Sequence, residues 1–116
     1  MNVSETMERD IEAVEAATPI REAAAIMIEN GCRALPVCRD GRVEGIVTDR
    51  DLIVRVVVGA ADPAGPVESV MSRDVVTCAL GDRHEDVARE LERRQIRRAP
   101  VVDGERRLLG IVVLPG

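Results

Sequence analysis

The sequence has no aromatic residue among its 116 positions and no lysine, since all 16 basic residues are arginine. Without aromatic side chains the core has to be aliphatic, and the stacking platforms of single-stranded nucleic-acid binders are excluded. Without lysine, Schiff-base and lysine-nucleophile chemistry is excluded. A formal net charge of −5 argues further against a protein that binds a nucleic-acid backbone.

Residues for metal or nucleophilic chemistry are also scarce. The chain has one histidine, His84, and three cysteines without C-x-x-C spacing, Cys32, Cys38 and Cys78. We interpret His84 as a solvated residue in the first turn of a helix, and the cysteines as free thiols of a cytoplasmic protein. No apolar run approaches the roughly 18 residues of a membrane span, and the N-terminus lacks the features of a signal peptide. We therefore expect no enzyme and no membrane protein.

The chain does contain an internal repeat. A shift of 64 positions places identical residues of the two halves on each other: Val3 on Val67, Met7 on Met71, Pro36 on Pro100 and Val37 on Val101. The pattern predicts two copies of one supersecondary unit, residues 1–58 and 67–116, joined by a linker rich in Pro, Gly and Ala over 59–66.

Each copy is predicted to fold as strand, helix, strand, strand and helix. The first strands are expected from Ile11 and from Val75. The helices that follow have capping patterns at Thr18 and at Asp82. Two Asp-Gly pairs predict the turns of hairpins formed by the remaining strands: Asp40-Gly41 in the first copy and Asp103-Gly104 in the second.

The stretch from Gly45 to Leu52 is predicted to end a strand and begin a helix. Thr48 is a good N-cap, and Asp51 suits the positive end of the helix dipole. A corner with a hydroxyl and a carboxylate also suits an anion or a ribose, so a plain cap and half of a nucleotide site both remain open. The residues at 52–58 fit a strand by composition, but the cap favours an apolar helix that is buried on several sides, within the protein or against another subunit.

The sequence resembles a tandem pair of CBS domains, also called a Bateman module. The resemblance rests on one order of features that is repeated once: strand, helix, x-Arg-x-x-Pro-Val, Asp-Gly and Gly-Ile-Val-Thr-Asp-Arg-Asp-Leu. The resemblance covers Val3 to Val112 and is closest to the stand-alone type. It implies an α+β (α/β) fold of two β-α-β-β-α repeats about a pseudo-two-fold axis, with the last helix of the second repeat missing. It also implies a non-catalytic, energy-sensing regulator that binds AMP, ADP, ATP, S-adenosylmethionine or NAD between the repeats and needs no cofactor.

Carried over by position, the resemblance completes one of the two clefts. The Asp51 carboxylate would accept from the ribose hydroxyls beside Thr48. The other implied ligand contacts are an apolar neighbour, two residues at the base and three near the phosphates: Ile46, Val75, Val76, Ile96, Arg97 and Arg98. Without the repeat, the two arginines would be interpreted as ordinary surface residues.

The second cleft is predicted to be impaired or empty. Its corner is Val113-Leu114-Pro115-Gly116, which has neither hydroxyl nor carboxylate, and only Arg33 and Ala34 could offer it a partial phosphate contact. A missing closing helix would also expose apolar surface at 52–58 that a second chain could cover.

We therefore expect a homodimer that signals to an unidentified protein partner and binds neither nucleic acid nor membrane. The alternative hypothesis is a dimerisation or protein-interaction module that works without a ligand.

Overall fold

The structure is a computed structural model that describes residues 1–115, so that Gly116 of the predicted second copy lies outside the described residues. The elements follow in this order: α1 (Val3–Thr6), β1 (Val14–Glu15), α2 (Ile20–Asn30), β2 (Ala34–Arg39), β3 (Arg42–Thr48), α3 (Asp49–Leu52), a π-helix (Ile53–Val58), a 3-10 turn (Val67–Ser69), α4 (His84–Arg93), β4 (Arg98–Val102) and β5 (Leu108–Val113). These helices and short strands confirm the predicted α+β class.

The chain forms two compact units whose boundaries differ from those of the sequence copies. The first unit comprises residues 12–75, and the second unit comprises residues 1–11 together with 76–116. Residues 67–75, which begin the second sequence copy, therefore belong to the first unit. The predicted division at 59–66 stays a prediction about the repeats.

The first unit is built on a three-stranded sheet in the order β1-β2-β3, with β1 parallel and β3 antiparallel to β2. Its aliphatic core includes Leu35 and Val47, and α2 contributes Met27. Asp40 and Gly41 have φ angles of 53° and 79°, as a type I′ hairpin turn requires, so the predicted turn is confirmed.

The second unit contains the antiparallel pair β4-β5 and the helices α1 and α4. Its core includes Val3, Leu91 and Val101. The predicted hairpin turn that contains Asp103-Gly104 is confirmed, but it belongs to a longer loop than Asp40-Gly41, because residues 103–107 join the strands. The Asp103 carboxylate closes this longer loop by accepting from the N–H groups of residues 105 and 107, at 2.8 and 2.9 Å.

In each unit, the segment that begins one sequence copy (the leading segment, residues 67–75 or 1–11) pairs with the second strand of the hairpin, β3 or β5. In the first unit the Ser72 N–H donates to the Ile46 carbonyl at 2.9 Å, and the Ile46 N–H donates to the Ser72 carbonyl at 3.0 Å. In the second unit Glu8 exchanges the same two bonds with Ile111, at 2.8 and 2.9 Å. This pairing is the structural counterpart of the sequence repeat.

Glycine allows the close approach at both places. A Cβ atom on Gly45 would lie 2.6 Å from the Ser72 carbonyl oxygen, and one on Gly110 would lie 2.6 Å from the Glu8 carbonyl oxygen. Real Cβ atoms do not come this close, so the glycines are required by the pairing and not by a special φ angle.

The predicted first strands are wrong in extent. β1 begins at Val14 rather than at Ile11. Among the described residues of the corresponding segment in the second copy, Cys78 alone forms a bridge, to β4. This segment starts in a local turn, where the Val75 N–H donates to the Arg73 carbonyl, and so it does not extend into a ladder.

The two predicted helix caps are also wrong, each by one residue. Pro19 is the N-cap of α2 and Arg83 is the N-cap of α4, and neither helix has a side-chain cap bond. Thr18 therefore does not cap α2. The Asp82 carboxylate instead accepts from the Ala79 N–H at 2.8 Å and so closes the preceding turn.

The helix predicted after Thr48 is confirmed as α3 followed directly by the π-helix. Burial on several sides within the chain, one of the two predicted alternatives, is wrong, whereas the predicted exposure of apolar surface at 52–58 is confirmed. Leu52 and Val56 are partly buried against the core of the first unit, because a helix that is apolar all round turns only one side towards its own sheet. The remaining apolar side chains are 47–78% exposed: Ile53, Val54, Val57 and Val58.

The close approach at Gly110 can be tested by substitution. Gly110→Ala is expected to lower the free energy of unfolding by about 1–3 kcal/mol, because the new methyl group overlaps the Glu8 carbonyl. Gly104→Ala is the matched control, since no atom lies within 4 Å of the added Cβ. Urea unfolding measures both variants, and equal stability of the two would contradict the proposed contact.

Candidate functional site

The corner between β3 and α3 has the geometry that the Thr-x-x-Asp pattern predicts. Thr48 is the N-cap, and its Oγ1 accepts from the Asp51 N–H at 3.1 Å. In return, the Asp51 Oδ2 accepts from the Thr48 N–H at 2.9 Å. These reciprocal bonds form a capping box, so the predicted cap is confirmed.

The other carboxylate oxygen of Asp51 is contacted by a residue that the sequence analysis did not find. The Ser72 hydroxyl donates to Asp51 Oδ1 at 3.4 Å. Ser72 lies 21 positions away along the chain and reaches Asp51 because its backbone pairs with Ile46. The sequence signal for it was the alignment of 67–75 with the N-terminal segment.

The carboxylate keeps further capacity to accept hydrogen bonds. An ionised carboxylate offers about four acceptor positions, and the two donors from Thr48 and Ser72 use one on each oxygen. Asp51 is partly buried, so solvent does not fully surround its carboxylate. The corner can therefore accept from a pair of neighbouring hydroxyl groups.

The predicted site residues are divided between the two units. Ile46, Thr48, Asp51 and Val75 belong to the first unit. Within this unit, the pairing with Ser72 brings the segment that carries Val75 to the corner. Ile46 and Val75 are both half-buried, which leaves part of each aliphatic side chain open to a ligand.

The remaining predicted site residues belong to the second unit. Val76 is partly buried against the core of that unit, and Ile96 is 38% exposed. Arg98 begins β4. Arg97 is exposed, and its Nη1 donates to the Pro115 carbonyl at 2.7 Å, so this guanidinium already has a backbone partner.

The end of β5 repeats the backbone bonding found at the end of β3. The Leu114 N–H donates to the Arg97 carbonyl at 2.8 Å, just as the Asp49 N–H donates to the Arg33 carbonyl at 3.0 Å. The two corners therefore have equivalent main-chain bonds as far as Leu114.

The side chains of the two corners differ. Val113 occupies the position of Thr48 and offers no hydroxyl. The position of Asp51 falls on Gly116, which lies outside the described residues and carries no carboxylate. This corner therefore lacks the hydroxyl–carboxylate pair of the other one. That the second cleft is impaired or empty stays a prediction, as does the partial contact from Arg33 and Ala34.

The single histidine, His84, lies in the second unit at the start of α4. His84 is half-buried rather than solvated, which corrects the prediction for it, and its Nδ1 lies 2.9 Å from Thr6 Oγ1 in the second unit. Within residues 1–115, no three His, Cys, Asp or Glu side chains are grouped so that they could hold a metal ion. In the same range, no helix has the length and apolarity to cross a bilayer.

All three cysteines are free thiols. Burial raises the pKa of the Cys78 thiol to about 11, with a smaller contribution from the Asp82 carboxylate. Burial also raises the pKa of the Cys38 thiol, assisted by the carboxylates of Glu15 and Glu44. These two thiols therefore stay protonated at neutral pH.

Comparison with known proteins assigns both repeats to one family. The model of the CBS domain family matches residues 3–58 and 67–114. The CBS domain-containing protein YhcV of Bacillus subtilis (strain 168) is 35% identical over 113 residues, which are 97% of this chain and 80% of that protein.

Solved structures of CBS domain pairs have the same fold. The pair of protein MJ0100 in complex with 5′-methylthioadenosine and S-adenosyl-L-methionine has a TM-score of 0.86 and 28% identity, and the match covers 97% of this chain and 92% of that chain. CBSX2 in complex with AMP has a TM-score of 0.85 and 26% identity, with 97% and 89% covered. The chain spans only 22% and 20% of two relatives named as enzymes, a homoserine O-acetyltransferase and an inosine-5′-monophosphate dehydrogenase.

The buried thiols predict an order of alkylation. In the folded protein at neutral pH, iodoacetamide is expected to modify Cys32 before Cys38 and Cys78, because the reactive species is the thiolate and the latter two thiols are buried and protonated. Peptide mass spectrometry measures the order, with urea-unfolded protein as the control in which all three react. Equal rates of alkylation at Cys32 and Cys78 in the folded protein would contradict the conclusion that Cys78 is buried and protonated.

Proposed function

Because this chain belongs to the CBS domain family and contains a tandem pair of these domains, we propose that it is a regulatory module that binds an adenosine-containing ligand through the corner at Thr48 and Asp51. The observation that carries the proposal is the Asp51 carboxylate, which is held on one side by Thr48 and on the other by Ser72. A carboxylate fixed in this way is prepared to accept from the two hydroxyls of a ribose.

The proposed ligands are AMP, ADP, ATP, S-adenosylmethionine and NAD, which share an adenosine group. The complexes of MJ0100 and CBSX2 with adenosine compounds support this class. In our proposal the ligand acts as a regulator, and no cofactor is needed. The absence of aromatic residues means that the base would be held by aliphatic side chains such as Val75 and Val76.

The contacts proposed beyond the ribose rest on the family resemblance. Ile96, Arg97 and Arg98 would lie at the phosphates, where arginine forms charge-assisted bonds with good geometry. Arg97 would have to exchange its bond to the Pro115 carbonyl for a phosphate oxygen. Such an exchange would couple a bound phosphate to the position of the segment after β5.

Regulation requires that the ligand bind one arrangement of the module better than another. A ligand with such a preference shifts the population of the arrangements and so changes the surface that a partner protein meets. We propose that the protein is cytoplasmic and senses the energy state of the cell through the bound nucleotide. In this proposal it is not itself a catalyst, and any reaction is carried out by the proteins it regulates.

Substitution of Asp51 tests the ribose contact. Asp51→Ala is expected to weaken binding of AMP, measured by isothermal titration calorimetry, by about tenfold or more, because hydrogen bonds to a charged group are lost. It also costs about 0.5–2 kcal/mol of stability through the lost cap.

The matched control is Asp49→Ala in the same helical turn, where the carboxylate accepts only a local bond from the Arg50 N–H at 2.8 Å. This variant should bind AMP as the unaltered protein does. If the unaltered protein gives neither heat nor a thermal shift with any of the five proposed ligands, the nucleotide proposal is overturned.

A second candidate function is dimerisation without a ligand. The observation that favours it is the exposed apolar surface of the π-helix, where Val57 and Val58 are 77% and 78% exposed. Contiguous apolar surface of this kind commonly marks an interaction site. The proposed occupant is a second copy of the chain, which would cover the same residues by symmetry.

A charge placed on this surface should abolish such a dimer. Val57→Glu combined with Val58→Glu is expected to give a monomer in sedimentation velocity, because an unpaired carboxylate would be buried in the interface. Ile28→Glu is the control, since Ile28 lies on α2, outside the π-helix, and is 83% exposed. A dimer that persists in the double variant would exclude this surface.

A further inference from the structure

The position of Ser72 is set by its backbone hydrogen bonds, independently of the contacts of its side chain. Its backbone exchanges two hydrogen bonds with Ile46, two residues before Thr48 in β3, at 2.9 and 3.0 Å. Gly45 permits this approach, as a Cβ there would meet the Ser72 carbonyl at 2.6 Å. The Ser72 side chain therefore starts from a backbone position set by the sheet.

The hydroxyl at this position is not needed for the pairing. Glu8 forms the same two backbone bonds with Ile111 in the second unit and has a carboxylate where Ser72 has a hydroxyl. The corner next to Glu8 is also the one that lacks a carboxylate at the position of Asp51. The serine thus occurs at the corner where its hydroxyl has a carboxylate to contact.

We propose that Ser72 is a positioning residue that holds the Asp51 carboxylate in the orientation that accepts both hydroxyls of a ribose. This inference rests on the function proposed above. The Thr48 N–H donates to Oδ2 at 2.9 Å, and the Ser72 hydroxyl donates to Oδ1 at the longer distance of 3.4 Å. With one donor on each oxygen, one further acceptor position on each oxygen is left for a hydroxyl of the ligand. Such a carboxylate selects a ribonucleotide over a 2′-deoxyribonucleotide.

The selectivity follows from what a single hydroxyl leaves unpaired. A ribose with two neighbouring hydroxyls satisfies both oxygens, whereas a 2′-deoxyribose leaves one of them without its donor. If the carboxylate is free to rotate, it can follow the single hydroxyl, and the penalty becomes smaller. Loss of Ser72 should therefore reduce discrimination as well as affinity.

The experiment measures binding of AMP and of 2′-deoxy-AMP to Ser72→Ala by calorimetry. AMP binding is expected to weaken about three- to tenfold, in line with one lost hydrogen bond. Binding of 2′-deoxy-AMP should weaken less, so that the ratio of the two dissociation constants falls. Ser72→Thr, which keeps the hydroxyl, should restore the ratio.

Ser69→Ala is the matched control, because Ser69 lies in the same segment and donates only to the local Pro66 carbonyl at 2.7 Å. It should change neither constant. An unchanged ratio in Ser72→Ala, while the unaltered protein binds AMP and Asp51→Ala binds it about tenfold or more weakly, would overturn the role of Ser72 and leave the proposed function intact.

A double-mutant cycle decides the Ser72–Asp51 contact without any ligand. Ser72→Ala should lower the urea midpoint of the unaltered protein and shift it less in the Asp51→Ala background. Equal shifts of the urea midpoint in both backgrounds would show that Ser72 and Asp51 do not interact. If the unaltered protein binds neither nucleotide, the proposed function is overturned, and the proposed ribose selectivity is overturned as well.

Discussion

Backbone pairing between a leading segment and the last strand of a hairpin is the constraint on which this structure depends. In each unit a segment from the start of one sequence copy is bonded to a strand of the other copy. The pairing demands a glycine at the point of approach, and Gly45 and Gly110 meet that demand. Without it, the 12–75 unit would lose its last residues and the second unit would lose its first eleven.

The same pairing explains why the two corners can differ so much in chemistry. At the corners themselves, the Asp49 and Leu114 N–H groups form equivalent main-chain bonds that do not involve the side chains there. One corner has Thr48 and Asp51, and the paired segment adds Ser72 to it. The other has Val113 and a glutamate at the paired position. Of the two corners, the one at Thr48 therefore has the hydroxyl–carboxylate pair on which the proposed ribose contact depends.

Features that depend on a few neighbouring residues could be predicted from the sequence. The Asp40-Gly41 turn and the capping box at Thr48 are local, because each is set by residues within three positions. The caps at Thr18 and Asp82 were misplaced by one residue, and the Asp82 carboxylate closes the preceding turn instead. The strand expected from Val75 was wrong in extent, because a ladder needs a partner that composition alone does not supply.

The repeat, the aliphatic core, the α+β class and the hydroxyl–carboxylate pair of one corner could be predicted from the sequence, because periodicity and local hydrogen bonding depend on neighbouring residues. The assignment of residues 67–75 to the first unit and the contact of Ser72 with Asp51 came from the fold alone. The fold also shows which residues of the stretch 52–58 are exposed, Val57 and Val58 among them. Contacts between residues 21 or more positions apart depend on how strands pair, and local sequence patterns do not specify that pairing.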